Sequence, residues 1–172
     1  PASHESVEED RMNMRMILAG KDAVAVDTVC SLTVGWDPQS VGYLNLFREN
    51  MGLGIPANIR VKGAFVDELR EDFAIRRPEL GGTPITEEKK LEFSAQAQWE
   101  GETLFIRYRA GEEVNKIEVY LNGIFQYAEA AQEEGMIRLE IPGFLEEEKE
   151  LRIIAYDRFL NKCVVTGAKG AA

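Results

Sequence analysis

Leu91-Glu92-Phe93-Ser94-Ala95-Gln96-Ala97-Gln98-Trp99 alternates apolar and polar residues without a break. Successive side chains of a strand point to opposite faces, so the run predicts a strand with one dry face and one wet face. The rhythm persists downstream. Leu104, Ile106 and Tyr108, then Ile117, Val119 and Leu121, then Ile137, Leu139 and Ile141, then Leu151, Ile153 and Ala155 each recur at every second position. Cys163-Val164-Val165 closes the series. Asn122-Gly123 lies between two of these runs and is a strong signal for a two-residue hairpin turn.

Roughly seven short strands separated by turn signals predict an all-β, immunoglobulin-like sandwich over residues 85–172. No Cys…Trp…Cys spacing is present, so an antibody-type domain is excluded.

Upstream of Thr86 the pattern differs. Met14 to Ala19 reads as a short buried strand, and Ala23 to Val34 as a buried helix capped by Asp22 and ended by Gly35. Asp37-Pro38 opens a second helix, along which Val41, Leu44, Phe47 and Met51 form one apolar stripe. Gly52 and Gly54 stop it, and Ile59 with Val61 suggests another strand. Phe65 to Ile75 fits one helical turn or a short helix, and the Pro- and Gly-rich stretch from Arg77-Pro78 to Pro84 marks a boundary. The chain is therefore read as α+β overall. Residues 1–84 form an α/β fragment of a larger domain, in the order strand-helix-helix-strand, and the sandwich follows.

With 172 residues, 45% of them hydrophobic, the chain is long enough to bury a core. A formal net charge of -10 repels phosphate backbones and anionic lipid, which argues against nucleic acid and membrane surfaces as partners. No apolar run approaches membrane-spanning length. Cys30 and Cys163 lack metal-type spacing and read as small buried hydrophobes, in keeping with a cytoplasmic location. The first residue is Pro1, and the expectation is an excised piece of a longer protein. A truncated α/β piece exposes sheet edge and apolar helix faces. The partner expected is the remainder of the parent chain, a partner protein or a second copy.

Asp27 is the sharpest candidate site residue, because it interrupts an otherwise apolar helix. A buried carboxylate needs a partner. It is either a metal ligand, a base or an anchor for a substrate hydroxyl, or it bonds Ser31 one turn on and only fixes packing. Asp22 and Asp37 are explained as helix caps. Lys21, beside a helix N-terminus, suits an anion, although Gly20-Lys21-Asp22 is too short for a phosphate loop. His4, the one histidine, lies in an acidic lead-in with Glu5, Glu8 and Glu9. No serine sits in a Gly-x-Ser-x-Gly motif. No catalytic residue, metal ligand or cofactor is assigned within this fragment. Phe105, Tyr120 and Phe125 are expected to face outward, either as a sugar- or protein-binding strip or, the favoured reading, under a neighbouring strand, loop or domain, and Arg107 and Arg109 to pair with Glu118 across strands.

The stretch Met16-Ile-Leu-Ala-Gly-Lys-Asp-Ala-Val-Ala-Val-Asp-Thr-Val29, followed by Gly35-Trp36-Asp37-Pro38, Val41-Gly42-Tyr43-Leu44 and Gly52-Leu53-Gly54, resembles the C-terminal part of the family called domain of unknown function 362. Ala23 stands where that pattern usually has proline. The resemblance implies a prokaryotic protein of a family without an assigned function, whose members often carry iron–sulfur clusters, with most of the α/β region upstream. No cluster cysteines match. Val119-Tyr-Leu-Asn-Gly123 and Ala155-Tyr-Asp-Arg158 with Asn161 are similar to bacterial immunoglobulin-like modules, which serve as spacers or binding platforms. The function expected is an auxiliary C-terminal fragment of a larger, redox or iron–sulfur associated protein, without a complete active site. The alternative is a non-catalytic binding or spacer module.

Overall fold

The computed structural model describes residues 14–71, 73–76, 82–86, 90–141 and 150–168. His4 with its acidic neighbours, and Arg77-Pro78, lie outside the described residues.

Among the described residues the alternating half forms seven strands: β1 (Phe93–Glu100), β2 (Thr103–Ala110), β3 (Lys116–Leu121), β4 (Ile124–Ala130), β5 (Glu134–Glu140), β6 (Glu150–Tyr156) and β7 (Lys162–Ala168). They make two antiparallel sheets, ordered β1-β2-β5 and β4-β3-β6-β7. Asn122 and Gly123 take φ of 51° and 75°, and the β3–β4 hairpin turns on them between the paired residues Leu121 and Ile124. One apolar cluster fills the space between the sheets. Leu104 and Ile106 of β2 and Ile137 of β5 meet Ile117, Val119, Leu121, Leu151 and Ile153 of β3 and β6. Burying each such side chain contributes about 1.5–3 kcal/mol. Tyr108 links the sheets, because its hydroxyl donates to Glu129 of β4 at 2.8 Å. Gly135, its partner on β5, makes room for the ring: a Cβ there would lie 2.3 Å from it.

The upstream half is helical. It comprises α1 (Ala23–Thr33), a 3-10 turn at Pro38–Ser40, α2 (Gly42–Met51), a second 3-10 turn at Pro56–Asn58, and the single-turn helices α3 (Val66–Leu69) and α4 (Phe73–Arg76). Asp22 caps α1 by accepting from the amides of Val24 and Ala25 at 2.9 and 3.1 Å. Gly35 follows at φ 82°, where a Cβ would meet the Glu71 carbonyl at 2.6 Å, so glycine is required twice over. Asp37 caps the 3-10 turn rather than α2 itself, and Gly52 ends α2 in the left-handed conformation.

The strand-helix-helix-strand order is corrected here. No ladder forms at Met14 to Ala19 or around Ile59 and Val61. Arg15 has φ 48° and Ile17 is 94% exposed, which breaks the extended run. Leu18, Ile59 and Val61 instead bury their side chains against a second apolar cluster without any backbone pairing. Apolar spacing reports burial, and burial needs no hydrogen-bonded neighbour.

That second cluster joins the two halves. Val29 and Leu32 of α1 and Val66 of α3 pack on Ile154 and Tyr156 of β6 and on Leu160. The four-stranded sheet is therefore covered on both faces. Arg70 ties the contact, donating to the Leu32 carbonyl at the end of α1 and to Phe159 and Asn161 in the β6–β7 turn. Asp157 organises that turn by accepting from the amides of Phe159 and Asn161 and from the Asn161 side chain. Lys162 of β7 adds ion pairs to Asp67 and Glu68 of α3 at 3.0 and 2.7 Å. Residues 82–86 return to α1: the amide of Asp37 donates to the Thr83 carbonyl, and that of Ile85 to the Gly35 carbonyl.

Candidate functional site

Asp27, Asp22, Lys21 and Ser31 all lie on or beside α1, but they do not converge on a common point. Asp22 is spent as the cap, and Lys21 is exposed. Ser31 donates to the Asp27 backbone carbonyl at 2.9 Å, a local bond to the preceding turn that leaves the carboxylate alone. The Asp27 carboxylate, half-buried, accepts from the Tyr43 hydroxyl of α2 at 2.9 Å. Burial and this bond together hold the Tyr43 phenol above its ordinary pKa. Burial, then the Asp27 charge, likewise pushes the Cys30 thiol up, away from a reactive thiolate. Asp27 thus joins two helices. Among the described residues, no group of His, Cys, Asp and Glu could hold a metal ion.

A more enclosed constellation lies on the outer face of the four-stranded sheet. Register places Lys116, Glu118 and Tyr120 of β3 beside Tyr156, Ile154 and Arg152 of β6. These residues alternate with Ile117, Val119 and Leu121, which face the sandwich interior. The helical half covers them, so the Lys116 and Glu118 side chains are only 6% and 2% exposed. They form an ion pair at 3.0 Å. The second Glu118 oxygen accepts from the Tyr120 hydroxyl at 2.8 Å. Lys116 also donates to the Ile59 carbonyl at 2.8 Å and sits 4.7 Å from the centre of the Tyr156 ring. Burial lowers the Lys116 pKa, and Glu118 opposes that fall. Burial, then Glu118, raises the pKa of both Tyr120 and Tyr156.

Through Ile59, this pair pins the segment 60–66 over the sheet. A cleft of about 630 Å³ remains between them, with Glu118 at its floor and Arg60, Lys62, Phe65, Phe125 and Arg152 around it. Arg60 stacks 4.3 Å from the centre of the Phe125 ring, and Tyr120 meets that ring edge-on at 5.7 Å.

The charge pairing expected for Glu118 is corrected: Arg109 pairs with Glu134 across β2 and β5, while Glu118 belongs to the other sheet. Phe105 and Tyr120 likewise lie on different sheets and cannot form one strip, though Tyr120 and Phe125 do lie together under the helical half's segment 60–66. Alternation assigns Lys116 and Glu118 to the wet face, so strand periodicity does not mark them as a site. The one available signal was their i, i+2 opposite charges beside Tyr120.

No protein-family model matches the chain, and no curated protein matches it. The ZmpB metallopeptidase from Clostridium perfringens is similar in structure over 59% of this chain, at a TM-score of 0.35 and 10% identity. The match spans 24% of that chain. A likeness at this level carries no argument about fold or activity. The class defined by the fold is a two-sheet antiparallel β domain with a helical segment seated on one outer face. No helix among the described residues is long and apolar enough to cross a membrane.

Proposed function

We propose that this chain is an auxiliary, non-catalytic part of a larger prokaryotic protein, in which the sandwich is a platform and α2 the face offered to the rest of that protein. One observation carries the reading. Tyr43, Leu46, Phe47 and Met51 are spaced i, i+3, i+4 and i+8 along α2, and they are 50%, 60%, 36% and 64% exposed. Only Leu44 of this helix is buried. A contiguous exposed apolar stripe of this kind marks an interface. The resemblance of residues 16–54 to the family described above points to the parent chain as its occupant. It also points to redox or iron–sulfur chemistry held elsewhere in that parent. The sandwich is read as immunoglobulin-like, a reading supported by the β1-β2-β5 and β4-β3-β6-β7 strand orders with chain crossings between sheets.

Hydrogen exchange across α2 tests the docking. In the longer protein, the α2 amides are expected to exchange at least tenfold more slowly than in this chain alone. Equal rates would remove the reading. Slowing that appears in this chain alone as its concentration rises would assign the face to a second copy and overturn the parent-chain assignment.

A further inference from the structure

The charges around the cleft on the outer sheet face are unevenly spent. Glu118 is already paired with Lys116 and accepts from Tyr120. Lys116 is committed to Glu118 and to the Ile59 carbonyl. Arg152 bonds Glu150 at 2.7 Å. Arg60 and Lys62 are both exposed, and among the described residues neither meets a carboxylate. Among the described residues the open charge at the cleft is thus positive, although the chain as a whole carries -10. The walls are apolar and aromatic: Phe65, Phe125, Tyr120 and Ile154 line them. A volume of about 630 Å³ falls within the range of small-molecule sites.

A ligand suited to these walls has a flat apolar body and a single anionic group. An added cation would meet Arg60 and Lys62 with no free carboxylate among the described residues to receive it. The Arg60 guanidinium carbon lies 4.3 Å from the centre of the Phe125 ring, and a guanidinium without a carboxylate partner among the described residues is suited to grip one with two parallel bonds. The buried pair beneath holds the wall in place before any ligand arrives, which lowers the ordering cost of binding. We propose that this cleft binds a small aromatic carboxylate, with its ring against Tyr120 and Phe125 and its carboxylate on Arg60 and Lys62. This inference is independent of what covers α2.

The test is a titration of the full chain with phenylacetate, followed by backbone amide shifts, and with 2-phenylethylammonium as the charge-reversed control. Saturable shifts are expected in residues 60–66, β3 and β6, with Kd of about 1 mM or tighter. The ammonium compound should bind at least tenfold more weakly. Arg60→Met should weaken phenylacetate about tenfold with an unchanged circular dichroism spectrum, and Lys62→Gln should act in the same direction. Equal binding of the two compounds, shifts that do not saturate or map elsewhere, or full affinity in folded Arg60→Met would each overturn the proposal.

Discussion

Replacing Glu118 by Gln keeps the shape of the side chain and removes its charge. The carboxylate serves Lys116 with one oxygen and Tyr120 with the other. An amide offers one acceptor and one donor, so either the ammonium or the hydroxyl must face an NH2 group. At 6% exposure Lys116 has no water to replace the lost counter-charge. Breaking a buried pair this way costs about 3–5 kcal/mol. Lys116 keeps the Ile59 carbonyl and the Tyr156 ring, which places the expected loss near the lower end, about 3 kcal/mol.

The ammonium can also escape by shedding its proton. Burial already depresses its pKa, and removing Glu118 takes away the group that resists this. For a base with a folded pKa below its unfolded value, the unfolded state holds more protons between the two values, so stability rises with pH there. The penalty of Glu118→Gln should therefore be largest near pH ~7 and shrink towards pH ~9. Urea unfolding followed by circular dichroism measures it, and the melting temperature should fall by about 6–12 °C at neutral pH. The double variant Lys116→Met with Glu118→Leu should recover most of the loss. A single-variant loss under about 1 kcal/mol, or a double variant as unstable as the sum of the singles, would refute the buried-pair argument.

All five tyrosines have pKa values above the ordinary 10.0, Tyr120 and Tyr156 chiefly through burial. Their stabilising contribution is complete below pH ~10 and is lost as pH rises through the folded values, so tyrosinate absorbance should lag model tyrosine and then appear together with loss of the β signal. A gradual, non-cooperative titration centred on the ordinary value would contradict this. Arg70→Met should cost about 3 kcal/mol, because it frees carbonyls of Leu32 and Phe159 and the Asn161 side chain at once. Hydrogen exchange should show α1 and the β6–β7 turn opening while β1, β2 and β5 keep their protection, and uniform loss across both sheets would count against it.

Strand positions were legible because residues such as Leu104, Ile106 and Ile153 alternate against a single core, and a period of two survives any choice of neighbours. The Asp22 cap and the Asn122-Gly123 turn were legible because both are settled within a few residues. What failed depends on distance along the chain. Alternation says that Glu118 opposes Val119 in facing, but not that α1 and segment 60–66 lie over it. It does not say which strand adjoins which, so Arg109 found Glu134. The α2 stripe was read from the spacing of Val41, Leu44, Phe47 and Met51, without a statement of what covers it. Leu44 is buried, while Tyr43, Leu46 and Met51 lie open, because spacing reveals an apolar face and not its cover. Asp27 was singled out for interrupting an apolar helix, but the helix is only partly enclosed there, and Tyr43 reaches the carboxylate from the next one.

The seat of α1 is made largely from the β6–β7 hairpin. Arg70 and Asn161, which clasp it, are 91 residues apart in sequence. At ribosomal speeds of roughly 5–20 residues per second, Leu32 and Val29 emerge many seconds before Ile154 and Leu160 exist to receive them. During synthesis α1 thus waits as a sticky, half-formed element that needs shielding. Closing of the β6–β7 hairpin is the event that ends its vulnerability.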